Sequence, residues 1–238
     1  MRYVAALLVL GCLSASPANA DACRGPALRE AVQRLSETEA PIKELASRCI
    51  GEMIAAAPSF FRDLDEDQVA LVWASRAAHL YRPYGPSMAL RLEDLIREKQ
   101  LDCDNFVILT IHLFRILRPR SLIDVDMVGW ERGMVGNHAQ IIVNHPREPL
   151  MIDPTVGVVA KVTFDDIASG KAVARRDIAT LSRRDDPPGF RYRVVTALEM
   201  GAYRPSHILY YFNNPDDYQS ALAQINNWPT PAIQERPN

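Results

Sequence analysis

The spacing of apolar residues changes character once along the chain, close to position 120. Before that point the interval is three or four residues. Leu28, Val32, Leu35, Ile42 and Leu45 predict helix from Pro26 to Cys49, with a break near Pro41. A second helix is predicted over Asp65 to Tyr81. Asp65 and Asp67 open it, Val69, Leu71, Val72 and Trp73 feed a core, and Pro83-Tyr84-Gly85-Pro86 stops it. Met88 to Lys99 predicts a further helix with Leu90, Leu92, Leu95 and Ile96 on its apolar side. The strongest pattern follows. Phe106, Leu109, Leu113 and Leu117 recur until Pro119, and Val107, Ile108, Ile111 and Phe114 make the other faces apolar too. That is the signature of a core helix of about three to four turns. Asp102 stands where an N-cap belongs, with Cys103 in or next to the first turn.

From Leu122 the period falls to two. Ile123 to Val128 alternates and predicts a strand, and His138 to Val143 and Leu150 to Ile152 predict two more around the turn Asn144-His145-Pro146. Phe164 to Ala168 reads as a short helix closed by Gly170. Phe190 to Val195 alternates again and reads as a strand, and Ile208 to Phe212 is β-prone. Positions 216–238 form a polar, proline-containing tail. There are no internal repeats. Helices first, then a core helix, then antiparallel strands give an α+β fold class.

Composition narrows the function classes. The net charge is −2, and Lys/Arg residues cluster only in pairs such as Arg175-Arg176 and Arg183-Arg184. This leaves nucleic acid or an anionic membrane surface without electrostatic support as a partner. The N-terminus has its own logic. Arg2, the short apolar stretch Val4 to Leu10 and the small-x-small Ala18-Asn19-Ala20 match a cleaved signal peptide over positions 1–20. A buried N-terminal helix is the competing reading, which the small and polar stretch from Ser14 to Asn19 interrupts. Lipidation at Cys12, after Val9-Leu10-Gly11, is a minor alternative for which Leu10 fits poorly. The expected mature protein is exported, periplasmic or secreted. It has one domain over 21–215 with an N-terminal helical part, and no apolar run long enough to span a bilayer.

Four cysteines then separate by role. Cys12 leaves with the signal. Cys23 and Cys49 lie in the helical region of an exported chain and read as a disulfide, the alternative being two buried free thiols. Cys103 is left alone, either as a small buried hydrophobe or as a thiol kept for chemistry. The unpaired N–H groups at the start of a buried helix favour a thiolate there. The flanking Asp102 and Asp104 oppose it and call for a cationic histidine to offset them.

Of the histidines, His112 is nine residues along the same helix and faces away. His145 sits in the proline turn, and His79 and His207 have no local reason to face Cys103. His138 opens an apolar strand after Gly136-Asn137 and is the best candidate base. Asp153 ends the Leu150-Met151-Ile152 run before Pro154. A hairpin of that length makes its strand the neighbour of the His138 strand, so the carboxylate can orient the imidazole. The three residues are 35 and then 15 positions apart.

Leu101-Asp102-Cys103-Asp104-Asn105-Phe106 heading an apolar helix, Gly136-Asn137-His138-Ala139-Gln140 opening a strand and Met151-Ile152-Asp153-Pro154-Thr155 together resemble the bacterial transglutaminase-like superfamily, in order and in spacing. The resemblance covers roughly Met88 to Gly157. It implies a papain-like core, in which a central cysteine-bearing helix packs on an antiparallel sheet. It also implies Cys103 as nucleophile, His138 as general base and later acid, and Asp153 as orienter of an acyl transfer through a thioester, on a protein or peptide substrate. That chemistry requires no metal and no cofactor. The family also contains binding or scaffolding members, so a non-catalytic domain with a protein or envelope partner is the second expectation. The element that commonly precedes the family's cysteine is missing from Gln100-Leu101-Asp102. The oxyanion donor is unassigned beyond the Cys103 backbone N–H, with the Tyr81 to Tyr84 region or Trp73 as candidates. Trp130 and Glu131 are read as a loop before His138.

Overall fold

The fold was read from a computed structural model that describes Cys23 and residues 25–132, 136–181, 189–203 and 207–212. The signal segment and the 216–238 tail lie outside the described residues. The N-terminal part is helical: α1 (Pro26–Gln33), a 3-10 turn (Arg34–Ser36), α2 (Ala40–Ala56), α3 (Pro58–Phe61), α4 (Glu66–Tyr81), α5 (Leu92–Leu95) and α6 (Cys103–Leu117). The break expected near Pro41 falls just before it, because the proline occupies the first turn of α2, where its missing N–H costs nothing. The helix expected over Met88 to Lys99 shrinks to the single turn of α5. The preceding stretch is instead bound to α6, with the Asn105 side chain donating to the Ala89 carbonyl at 2.6 Å.

Strands β1 (Asp124–Arg132), β2 (Gly136–Asn144), β3 (Leu150–Asp153), β4 (Val158–Lys161), β5 (Ile178–Thr180) and β6 (His207–Phe212) form one sheet in the order β5-β4-β3-β2-β1-β6, every pairing antiparallel. Two further α-helices, α7 (Phe164–Ala168) and α8 (Phe190–Glu199), and a 3-10 turn (Arg175–Asp177) complete the described elements. Trp130 and Glu131 are therefore strand residues of β1, with Trp130 directly opposite His138, rather than loop residues. Phe190 to Val195 is helical, not extended. Its apolar residues Phe190, Val194, Ala197 and Leu198 recur at helical spacing and are buried, while Tyr192 is exposed.

Both faces of the sheet are covered. Met127, Ile141, Ile152, Val159 and Ala179 lie in register across five strands and join a core with α1 to α6. Their neighbours Val128, Ile142, Met151, Ala160 and Ile178 point the other way, into a second core with α7 and α8. The molecule is thus α+β, an antiparallel sheet between two helical layers.

Helix α4 ties the first layer to the loops at the sheet's ends. It is buried along nearly its whole length, and three of its buried polar side chains, Gln68, Arg76 and His79, reach backbone carbonyls: Glu148 (2.6 Å), Leu181 (3.0 Å) and Pro154 (3.0 Å) respectively. Such pairing is what makes burying them tolerable. A Cys23–Cys49 disulfide joins the residue ahead of α1 to α2.

The disulfide spans a sequence separation of 26 residues, and replacing both cysteines by serine should cost about 3 kcal/mol through the added freedom of the unfolded chain. Denaturant titration of the double variant against the oxidised parent checks this. A difference under about 1 kcal/mol would show that the bridge constrains little.

Candidate active site

Three sequence-selected residues arrive at one place by three local routes. Asp102 is the N-cap of α6. Its side chain accepts from the Asn105 amide at 3.1 Å, and the Asn105 side chain accepts from the Asp102 amide at 3.2 Å, a reciprocal capping box that fixes where the helix starts. Cys103 is accordingly the first helical residue, half-buried, and the free thiol among the described cysteines. The segment Pro83 to Gly85 lies alongside, with the Leu101 amide donating to the Pro83 carbonyl and the Gly85 amide to the Leu101 carbonyl, both at 3.0 Å.

The sheet supplies the other two. β2 pairs with β3 only from Ile141↔Ile152 onward, so the β2 residues from Gly136 to Gln140 have no β3 partner. The start of α6 meets this stretch, and the Ala139 backbone amide is close enough to the Cys103 sulfur to favour its thiolate electrostatically. Continuing the register places Asp153 opposite Gln140. His138, two residues before Gln140, therefore shares its face of the sheet. His138 Nε2 and Asp153 Oδ2 are 2.9 Å apart, and the two residues are 4% and 0% exposed. A buried carboxylate accepts from Nε2–H, which leaves Nδ1 as the ring nitrogen able to take a proton.

Other residues around this pair carried no local signal. The Tyr203 hydroxyl donates to Asp153 Oδ2 at 2.9 Å, and Gln140 Nε2 donates to the same oxygen at 3.1 Å. The Phe190 ring stands edge-on to the His138 imidazole, 5.6 Å between centroids. His79 donates from Nδ1 to the Pro154 and Thr155 carbonyls at 3.0 and 3.2 Å, so it holds the loop that follows Asp153. Gly157 ends that loop at φ +65°, where a Cβ would come 2.9 Å from the His79 ring. Arg191 donates to the Val156 carbonyl at 2.8 Å and lies 3.4 Å from His79 Nε2, gripping the same loop from the opposite layer. Only long-range contacts reveal these roles.

The remaining expectations resolve differently. His145 lies 3.4 Å from Asp65, far along β2 from the site. The Tyr81 hydroxyl donates to the Ile96 carbonyl at 2.6 Å and Trp73 is a core residue, so neither presents a donor to Cys103. Tyr84 is 42% exposed and close enough to sense the site electrostatically. Its phenol pKa is pushed up by partial burial and then by its acidic neighbours Cys103, Asp102, Asp104 and Asp153. Among the described residues no cluster of metal-ligating side chains and no helix able to cross a membrane is present.

Electrostatically, the thiol is held protonated. Burial pushes the Cys103 pKa far up, Asp104 and Asp102 add to it, and the Ala139 amide only partly opposes them. The thiol sulfur also lies 3.8 Å from Asp104 Oδ1, an acceptor for its proton. Burial likewise raises Asp102 from 3.8 to about 6, its cap bond to Asn105 notwithstanding. Compared with known proteins, the chain matches no family model, no curated protein and no solved structure.

Two outcomes follow from these fields. Asp104→Asn removes the strongest carboxylate acting on the sulfur, which lowers the thiol pKa. Iodoacetamide should then alkylate Cys103 about 3- to 10-fold faster at a fixed mildly alkaline pH, and an unchanged rate would contradict the assignment. Asp102 binds its proton more tightly folded than unfolded, so its contribution to stability is full below about pH 4 and is lost as pH rises through about 6. Asp102→Asn keeps a capping acceptor and removes that loss. Melting temperatures of parent and variant should diverge in the variant's favour across this window. Parallel curves would show that Asp102 has no such coupling.

Proposed function

We propose that the protein is an exported, thiol-dependent acyl-transfer enzyme of the transglutaminase-like type, with a papain-like arrangement of a cysteine helix on an antiparallel sheet. The observation that carries this reading is the buried His138–Asp153 hydrogen bond on the strand whose next residue, Ala139, brings its amide near the Cys103 sulfur. A candidate nucleophile then stands at the same end of the sheet as a candidate base and the orienter of that base.

Because burial and two aspartates hold the thiol neutral, the proton leaves Cys103 as the nucleophile attacks, rather than beforehand. The sulfur adds to the carbonyl carbon of an amide while its proton passes to Nδ1 of His138. The tetrahedral oxyanion is met by the Cys103 backbone N–H, with the Tyr84 hydroxyl as the second candidate donor. Collapse breaks the C–N bond, His138 returns the proton to the leaving amine, and a thioester remains. Water attacking the thioester gives a peptidase or amidase, and an amine gives a crosslinker. In either case His138 takes the attacking group's proton and the thiol is restored. A protein or peptide is the substrate class this implies. Export to the periplasm or outside is supported by the signal-like N-terminus and by the Cys23–Cys49 bridge, since such bonds persist in oxidising compartments.

A second reading has one observation in its favour. The raised thiol pKa also suits a silent cysteine, and so a non-catalytic domain that binds a protein or envelope partner. Alkylation separates the two. Purified mature protein is treated with iodoacetamide across pH, the modified cysteine is located by mass spectrometry, and His138→Ala is compared. General-base assistance predicts Cys103 alkylation at neutral pH at least about tenfold faster in the parent than in the variant. Equal rates, rising only as an unassisted thiol ionises, would reject the enzyme and leave the binding domain.

A further inference from the structure

Three donors converge on one oxygen of a carboxylate that has no exposed surface. Asp153 Oδ2 accepts from His138 Nε2 at 2.9 Å, the Tyr203 hydroxyl at 2.9 Å and Gln140 Nε2 at 3.1 Å. Gln140 Nε2 also donates to the Tyr203 hydroxyl and approaches the Met151 sulfur at 3.2 Å. The directions are mutually consistent. The single Tyr203 hydrogen goes to the carboxylate, so the phenolic oxygen is available to accept from Gln140. Tyr203 is 3% exposed and sits beyond α8, its own amide donating to the Ala197 carbonyl at 3.0 Å, so its hydroxyl is delivered by the second helical layer.

We propose that Tyr203 is a positioning residue of the site: together with Gln140 it keeps Asp153 ionised, with Oδ2 aimed at His138 Nε2. The imidazole then carries its proton at Nε2 and presents Nδ1 as the base. A phenol needing only a partner for burial could use any backbone carbonyl. Here it meets a charged group instead, and hydrogen bonds to the anionic form lower a carboxylate's affinity for a proton. The other titratable groups around Asp153 are His138 on β2, Cys103 on α6 and Tyr84 in the segment beside it, while His79 and Arg191 hold the following loop. Of these, Cys103 and Tyr84 add no positive charge, so the neutral donors carry the stabilisation together with His138.

The consequence for Cys103 rests on the acyl-transfer reading, whereas the anchoring of Asp153 does not, and the two are separable by experiment. Full mature protein is prepared with aspartate labelled at the side-chain carboxyl carbon and histidine labelled at both ring nitrogens. It is titrated by NMR as the parent, as Tyr203→Phe and as Gln140→Met. Deleting the phenolic oxygen should raise the Asp153 proton affinity at least about tenfold, an upward shift of about one pH unit in its carboxyl signal. Neutral His138 should lose part of its Nε2–H population in parallel, and Gln140→Met should move both signals the same way. If Tyr203→Phe does not fold, Gln140→Met carries the same test. An Asp153 titration and a His138 tautomer unchanged in the folded variants would overturn the proposal, whatever Cys103 does. Iodoacetamide alkylation should slow about tenfold below the shifted midpoint and match the parent above it. A shifted Asp153 with an unmoved alkylation profile would uphold the anchoring and count against the acyl-transfer reading instead.

Discussion

Asp153 closes an apolar strand, has no contact with solvent and still carries a carboxyl group. An isolated charge in that position would cost several kcal/mol, so the protein must bring donors to it or leave the strand end exposed. The donors come from different parts of the chain. His138 and Gln140 arrive on one face of β2 through strand alternation, and Tyr203 arrives behind α8. The loop leaving Asp153 is fixed from both sides, by His79 of α4 and Arg191 of α8. Burying this one carboxylate therefore requires the sheet and both helical layers to be docked at once. The chemistry proposed for the site uses the same geometry.

Cys103 experiences opposing influences. The start of α6 offers unpaired N–H groups and the positive end of the helix dipole, and the Ala139 amide adds a further donor. Against them stand partial burial, Asp104 and Asp102, and their sum raises the thiol pKa. The aspartate that defines the helix start is thus one of those that disfavour the thiolate. Asp102 is needed for the capping box, and the capping box is what makes Cys103 the first helical residue. Structural precision and thiolate stability conflict at this position, and precision prevails. A neutral thiol resists oxidation and stray alkylation better than a thiolate, at some loss of intrinsic reactivity.

The legible parts of the sequence were those in which one local pattern sufficed. The 3.6-residue period fixed α6, the aspartate before it marked the cap, alternation exposed β1, and short apolar runs around the Asn144-His145-Pro146 turn exposed β2 and β3 as a hairpin. From those came the prediction that Cys103, His138 and Asp153 lie close together. Other elements had no such signal. Val158–Lys161 and Ile178–Thr180 are too short, and too uniformly apolar on their buried positions, to show a period. In Phe190 to Val195 the window is six residues, where a period of two and one of 3.6 agree on several positions. Ala197 and Leu198, which decide for a helix, lie beyond it. The stretch from Met88 to Leu90 has helical spacing, but a tertiary hydrogen bond from Asn105 to Ala89 overrides it. Tyr203, Arg191 and His79 act on partners 50, 35 and 75 residues away, and no local pattern encodes such pairings.

The family-like motifs end near Gly157, yet the site does not. Phe190 closes one side of the His138 ring, Arg191 holds the Val156 carbonyl, and Tyr203 bonds to Asp153. A chain stopping after β4 would leave the imidazole and the carboxylate on an uncovered sheet face. Water would then replace fixed donors, and the apolar residues Val128, Ile142 and Met151 would lose their cover. The second helical layer thus has two roles that cannot be separated by position, because the residues that seal its core are neighbours of those that hold His138 and Asp153. Changes to its packing should register at His138, because Phe190 stands against that ring.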